Sequence, residues 1–307
     1  LPYPSYSLLS DIRKNGVTVI DGVRNLDIGE LDGVMVGKLV DNLLTEDKLP
    51  DNFYVVKKKP TAKAKIIIKS LAKLHYLLPN KDDIFGDENK DIILKICDAA
   101  GYYMPKKMDT TQKRIDGLAN YKEYFDILVK APENSFIISD YLYFESKQVV
   151  KTLKKEFPWL DNPREGIEII PQIKLVGEVN GTKIKGMLDF IVIDNINKTI
   201  TPYDLKTGSY PANDFIEKGY LGWNYYIQAS LYKILLSDEI AKHPIYKDYK
   251  VQEFNFMYCS RMDKSVSTTV VNNPMHLECL EGFEFDGNYY TGLNELLTIY
   301  SDYKNNK

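Results

Sequence analysis

The sequence predicts an α/β fold with a mixed sheet, and three observations predict it. The first half carries apolar residues at helical spacing. After "PWLDNPREG" the texture changes to three β-rich runs, "IEIIPQIKLVGEVNGTKIKGMLDFIVIDNINKTITPYDLKTG". Helical and extended stretches then alternate to the end, which sets helices against a sheet.

Residues 34–44, "VMVGKLVDNLL", place apolar side chains three and four apart, one helical face. Pro60-Thr61 opens a Lys/Ile/Leu-rich helix to about Leu78. "KDIILKICDAAGYY" and "IDGLANYKEYFDILVKA" continue the pattern, and Ser139-Asp140 caps a helix reaching Glu156. The polar, Gly-containing stretch between Asn80 and Lys113 reads as part of an insertion. Residues 1–156 are therefore expected to be a mainly helical N-terminal part with a helical insertion over about 57–156, inside a single domain of 307 residues. Residues 157–307 form the β-meander core. Asn180-Gly181 is a two-residue hairpin signal, and Asp194–Lys198 a turn. Helical segments follow at 212–220 and 223–236, then strands at "QEFNFMYCS" and "VSTTVV", and a C-terminal helix near Tyr289–Tyr303.

Net charge is −3, which argues against a bulk polycation. Its distribution is uneven. Between Asn52 and Lys81 there are eight lysines (57, 58, 59, 63, 65, 69, 73, 81) and no acid. Such a run is either a solvated face or a track for a polyanion, and the feature alone favours neither. No apolar run approaches a membrane span, so no membrane partner is expected. The start "LPYPSYSLLSDIRKNG" lacks the order of a signal peptide, and its leading Leu implies a removed Met or tag. Cys97, Cys259 and Cys279 are scattered, without CxxC, which points to reduced thiols in a cytoplasm and against an iron–sulfur cluster or zinc ribbon. No GxxxxGK[ST] occurs, so no bound nucleotide is expected.

The chemistry lies in "GMLDFIVIDNINKTITPYDLKTG". Side chains alternate along a strand, so Asp204 and Lys206 share a face while Leu205 points away. For "DLK" alone a strand-borne salt bridge is the favoured reading. Asp189 on the preceding strand, set across from them by the meander, adds an anion that one ammonium does not neutralise. A divalent cation would, and hard oxygen ligands suit Mg²⁺ or Mn²⁺. Downstream, Tyr225, Gln228, Tyr232 and Leu235 line one helix face, where Gln is unusual among aromatics. Upstream, Val34, Gly37, Asp41 and Leu44 share the same spacing, with Gly37 open to a close backbone neighbour.

Asp189, then Asp204-Leu205-Lys206, then Gln228-x-x-x-Tyr232 resembles the RecB-like branch of the PD-(D/E)XK nuclease superfamily, especially phage-type exonucleases. The similarity spans about Ser5 to Met257 in four short spots, including the "SYSLLSDI" start. It implies an αβββαβ core and metal-dependent hydrolysis of DNA phosphodiester bonds, in exonucleolytic recombination or repair. Asp189, Asp204 and Lys206 would be catalytic, and Mg²⁺ (or Mn²⁺) would sit on Asp41, Asp189, Asp204 and the Leu205 carbonyl. The family places His four residues after its helical Gly; here Asp41 stands there, still a competent ligand for a hard cation. Gln228 and Tyr232 would position DNA, Trp223, Tyr225 and Tyr226 would stack bases, and Lys57, Lys58, Lys59 and Lys63 would track phosphates. Implied partners are DNA, a single-strand annealing protein and further copies of the chain, in the cytoplasm, that of a bacterial host if the chain is phage-encoded. The alternatives are a structure- or site-specific endonuclease and, from another class, a catalytically silent DNA-binding or assembly protein on the same fold.

Overall fold

The fold is that of a computed structural model, which describes residues 3–21, 32–104 and 109–306. Leu1 and residues 105–108 of the polar Asn80–Lys113 stretch lie outside the described residues. The chain forms two compact units: Leu1–Asp47 with Lys147–Lys307, and Lys48–Ser146.

Helices α1 (Tyr6–Asn15) and α2 (Asp32–Glu46) lead the chain, and Lys48–Ser146 follows with β1 (Phe53–Val56), α3 (Ala62–Lys73), α4 (Lys90–Ala99), α5 (Thr111–Ala119), α6 (Lys122–Lys130) and β2 (Phe136–Ser139). The helices of this unit close on Ile67, Ile68, Leu71, Ile93, Leu118 and Phe125. One sequence expectation is refined there. The "IDGLANYKEYFDILVKA" stretch is two helices, broken at Asn120-Tyr121, and the unit also holds two short strands. β1 and β2 pair in parallel from Phe53↔Phe136 to Val56↔Ser139. Each is only four residues long, too short for a periodic signal.

Helix α7 (Asp140–Glu156) opens as expected: the Ser139 hydroxyl accepts from the Leu142 N–H at 3.2 Å. The remaining chain builds a sheet from β3 (Ile167–Val179), β4 (Thr182–Asp194), β5 (Thr199–Gly208), β6 (Lys250–Val251), β7 (Phe254–Ser260) and β8 (Val266–Val271), in the order β3-β4-β5-β7-β8 with β6 beside β5. Asn180 and Gly181 both take left-handed backbone, as the hairpin signal demands. Asp194 closes the next turn by accepting from the Ile196 and Asn197 N–H groups. β3, β4 and β5 run antiparallel, whereas β5 and β7 are parallel, so the sheet is mixed.

The parallel crossover is made by a π-helical stretch, Phe215–Leu221, and helix α8 (Tyr225–Lys242). The first of these overlaps the helical segment expected at 212–220. Helix α8 packs on one sheet face in a core with Leu188, Ile191, Ile193, Ile200, Phe254 and Phe256. Helix α9 (Asn273–Glu281), hairpin strands β9 (Phe283–Phe285) and β10 (Asn288–Tyr290), and helix α10 (Leu293–Asn305) end the chain. Tyr289 therefore lies in a strand and the last helix starts later than the sequence suggested. Among the described residues, no helix is long and apolar enough to cross a membrane.

Candidate functional site

Strand alternation sets Asp204 and Lys206 on the sheet face that receives α8, and both are drawn into it. Asp204 is 1 % exposed. A bare carboxylate at that depth costs several kcal/mol, so its partners matter. One oxygen, Oδ1, accepts from the Gln228 amide Nε2 at 2.7 Å, and the other forms an ion pair with Lys206. The Lys206 Nζ in turn lies 4.5 Å from the centre of the Tyr225 ring. The helix face read from the sequence thus meets the strand face read from the sequence.

Tyr232 supplies the second half of that fit. Its ring covers Gly186 so closely that a Cβ there would lie 2.6 Å from the ring edge, which only glycine allows. Gln228 and Tyr232, expected as DNA-positioning residues, are both buried. They brace Asp204 and β4 from behind. Tyr226 is fully buried as well, with its hydroxyl on the Thr291 carbonyl, and offers no face for a base. That expectation is corrected: on a helix this buried, Tyr225 and Tyr226 point in different directions, which composition cannot show.

Asp189 arrives from β4. The β4–β5 ladder ends at Phe190↔Tyr203, and one residue further the Asp189 Oδ2 accepts the Leu205 N–H at 2.6 Å. Asp41 arrives from α2, which packs on β5. A Cβ on Gly37 would meet nothing nearer than the Thr207 hydroxyl at 3.9 Å, so the approach does not require glycine, contrary to the sequence reading. Asp41, Asp189 and Leu205 line a cavity of about 10 Å³, room for about one water molecule or bare ion.

The electrostatics follow from burial and repulsion. Burial, then the Asp204 charge, push Asp41 up to about 7, against the pull of Lys206. Burial raises Asp189 well above its ordinary value, with Asp204 and Asp41 adding to it and Lys206 and the Leu205 N–H opposing. Burial raises Asp204 also, Lys206 opposing. Burial alone would lower the Lys206 ammonium, but Asp204, Tyr225 and Asp189 hold it above its ordinary value. Lys206 is therefore a cation at neutral pH, a donor and not a base.

Three carboxylates against one ammonium fit a hard divalent cation by the chemistry of the donor set. Among the described residues, however, no three Asp, Glu, His or Cys side chains are gathered at metal-ligand separations. Both Asp204 oxygens are engaged by the chain's own donors.

Beside the carboxylates opens a cleft of about 500 Å³, lined by Lys206, Thr207, Tyr210, Trp223, Tyr225 and Arg261. Trp223 is 55 % exposed, and the Lys14 Nζ stands 4.5 Å above its ring. Helix α1 fixes this corner: the Tyr6 hydroxyl donates to the Trp223 carbonyl at 2.6 Å, and Arg13 donates to Asn224 at 2.7 Å. Lys14, Tyr210 and Arg261 escaped sequence reading because each is a common residue without a motif. Lys57, Lys58, Lys59 and Lys63 belong to the other unit, Lys48–Ser146. Lys57, Lys58 and Lys63 are exposed and Lys59 is half-buried.

No protein-family model matches the chain, and no curated protein matches it. Solved structures with some likeness include a "Putative exonuclease" from Eubacterium rectale, with a TM-score of 0.35 and 11% identity over 81% of this chain and 85% of that one. Another is SSO0001, with a TM-score of 0.30 and 12% identity over 90% and 87%. Likeness at this level has no bearing on the chemistry of the site.

Proposed function

We propose that the chain is a metal-dependent DNA nuclease that hydrolyses phosphodiester bonds, and more finely an exonuclease of the phage recombination or repair type. One observation carries the reading: a buried Asp204–Lys206 pair, braced by Gln228 and joined by Asp189 and Asp41, beside an open cleft that holds an aromatic face and cations. An ion pair kept only for stability would leave Asp189 and Asp41 unexplained, because each is pushed toward its protonated form by burial first and by neighbouring carboxylate charge second.

Asp41, Asp189, Asp204 and the Leu205 carbonyl would hold Mg²⁺ or Mn²⁺ once the carboxylates draw closer than they stand here and Asp204 gives up one of its present partners. Bound there, the ion would lower the pKa of a water and neutralise charge on the scissile phosphate. The chain's own residues do the rest. Lys206 lines the cleft as a fixed cation, placed to orient the attacking water and to stabilise the charge that grows on the phosphate oxygens. Gln228 holds one Asp204 oxygen, which keeps that carboxylate from rotating. Trp223 offers a stacking face, and Lys14 and Arg261 supply positive charge near the strand's phosphates.

The test is digestion of end-labelled linear and circular DNA by the purified chain, with Mg²⁺ or with EDTA. Degradation of linear DNA only, lost in EDTA, is the expected result. Nicking of circles would make it an endonuclease on the same chemistry. Intact DNA under all conditions would overturn the reading and favour a silent DNA-binding protein.

A further inference from the structure

We infer that Gln172 is a positioning residue of the site: its left-handed backbone breaks the sheet opposite Asp189 and so turns that carboxylate toward β5. The inference rests on the nuclease reading for its function, but not for its geometry.

Seven described non-glycine residues have left-handed backbone, and six of them lie in turns or at helix ends. Gln172, at φ 55°, lies inside a strand. That conformation is costly for a residue with a Cβ, and strain of this kind gathers at functional sites. The side chain is exposed, so packing does not account for it.

The damage to the sheet is local. β3 and β4 pair at Pro171↔Phe190 and again at Ile173↔Leu188, but the Gln172–Asp189 rung between them is missing. Across that gap the buried face changes parity on both strands. Ile170 and Ile191 pack into the core that includes α8 on one side of it, and Ile173 and Leu188 pack into the same core on the other. In an unbroken ladder each of those sets would exclude the other, because side chains alternate faces along a strand, yet the register is the same on both sides of the gap. Asp189 sits at the missing rung. Its other neighbour, β5, has also parted from β4 there, and the carboxylate fills the opening by accepting the Leu205 N–H at 2.6 Å. Gln172, Asp189, Asp41 and Leu205 then line the same small cavity.

An extended Gln172 would restore the rung and the alternation. Asp189 would then stand perpendicular to the sheet and lose the Leu205 N–H. The strained residue is what converts an ordinary strand position into one that aims a carboxylate along the sheet, toward the end of β5 where Asp204 and Lys206 lie.

The experiment compares variants that accept positive φ with variants that resist it, using two readouts on the full chain. Gln172→Gly and Gln172→Asn accept it; Gln172→Val resists it. The first readout is hydrogen exchange of the Leu205 amide in EDTA, which needs no catalysis. Leu205 protection should stay within about threefold of wild type in Gly and Asn, and fall about tenfold or more in Val. The second is Mg²⁺-dependent cleavage, which should follow the same order. If Gln172→Val does not fold, Gln172→Ala against Gln172→Gly makes the same comparison. Unchanged Leu205 protection in the φ-resisting variant overturns the inference. So does cleavage that survives in Asn but not in Gly, since the amide itself would then be acting. A wild type that cuts no DNA while the Leu205 pattern holds overturns the nuclease reading alone.

Discussion

The carboxylates around β5 and the lysines between 57 and 81 are both charge in excess of the counter-charge near them in the sequence, and the fold treats them differently. Asp204 is sunk against α8, paired with Lys206 and held by Gln228. The lysines lie along and around α3, mostly exposed or half-buried. Lys63 donates to the Gly101 carbonyl at 2.8 Å, and the Lys58 Nζ stands 5.3 Å from the Tyr121 ring centre. A surface cation fastened to a carbonyl or a ring loses little hydration and costs little. A buried carboxylate with two others nearby costs several kcal/mol, and evolution has no stability reason to keep it. Burial of like charge thus calls for a reason beyond stability, which density of like charge at the surface does not.

The comparison breaks most visibly at Lys206. Lys206→Ala should lower Mg²⁺-dependent cleavage by about a thousandfold or more, with DNA affinity nearly unchanged. It should also destabilise the fold, because Asp204 is left buried without its cation. Cleavage at the wild-type rate would reduce the cluster to an ordinary salt bridge.

Asp41 sharpens the same contrast through pH. Its folded pKa is raised, so the neutral form is the one the fold favours. Stability from this group is fully present below the ordinary carboxylate value and is lost as pH rises through about 7. In EDTA the melting temperature should therefore fall between pH 5 and pH 8, by on the order of 5 °C, with Asp189 acting in the same direction. Asp41→Asn should flatten that fall and melt higher than wild type at pH 8. Parallel pH curves for the two proteins would make Asp41 a solvated helical residue.

The smallest effect belongs to the lysines. Changing Lys57, Lys58, Lys59 and Lys63 to Gln should weaken DNA binding across all sequences, and reduce the slope of log K against log salt by roughly 0.9 for each phosphate no longer neutralised. An unchanged slope would return the run to a solvated face.

Much of the site was legible in the sequence, and the reasons are physical. Asp204 and Lys206 are two apart on a strand, and Gln228 and Tyr232 four apart on a helix, so each pair's common face follows from backbone period alone. Asn180-Gly181 and Asp194–Lys198 fixed the hairpins because turn chemistry is local. What escaped depends on tertiary packing. The strands Phe53–Val56 and Phe136–Ser139 are four residues each and exist through each other. "GMLDFIVID" looks evenly apolar because the buried face changes parity at Asp189, and the cause, Gln172, lies on the partner strand. The burial of Tyr226 beside a more open Tyr225 is set by what packs on the helix, which spacing cannot supply.

The most direct test of the central claim, that these carboxylates form a metal site, is calorimetric titration of the full chain with Mg²⁺ at pH 7 in two buffers of different ionisation enthalpy. Carboxylates held partly protonated must give up protons to a bound cation, so the apparent heat should depend on the buffer. The account predicts a saturable isotherm with proton release in the wild type, and its loss in Asp204→Asn. Indistinguishable isotherms for the two proteins would contradict it.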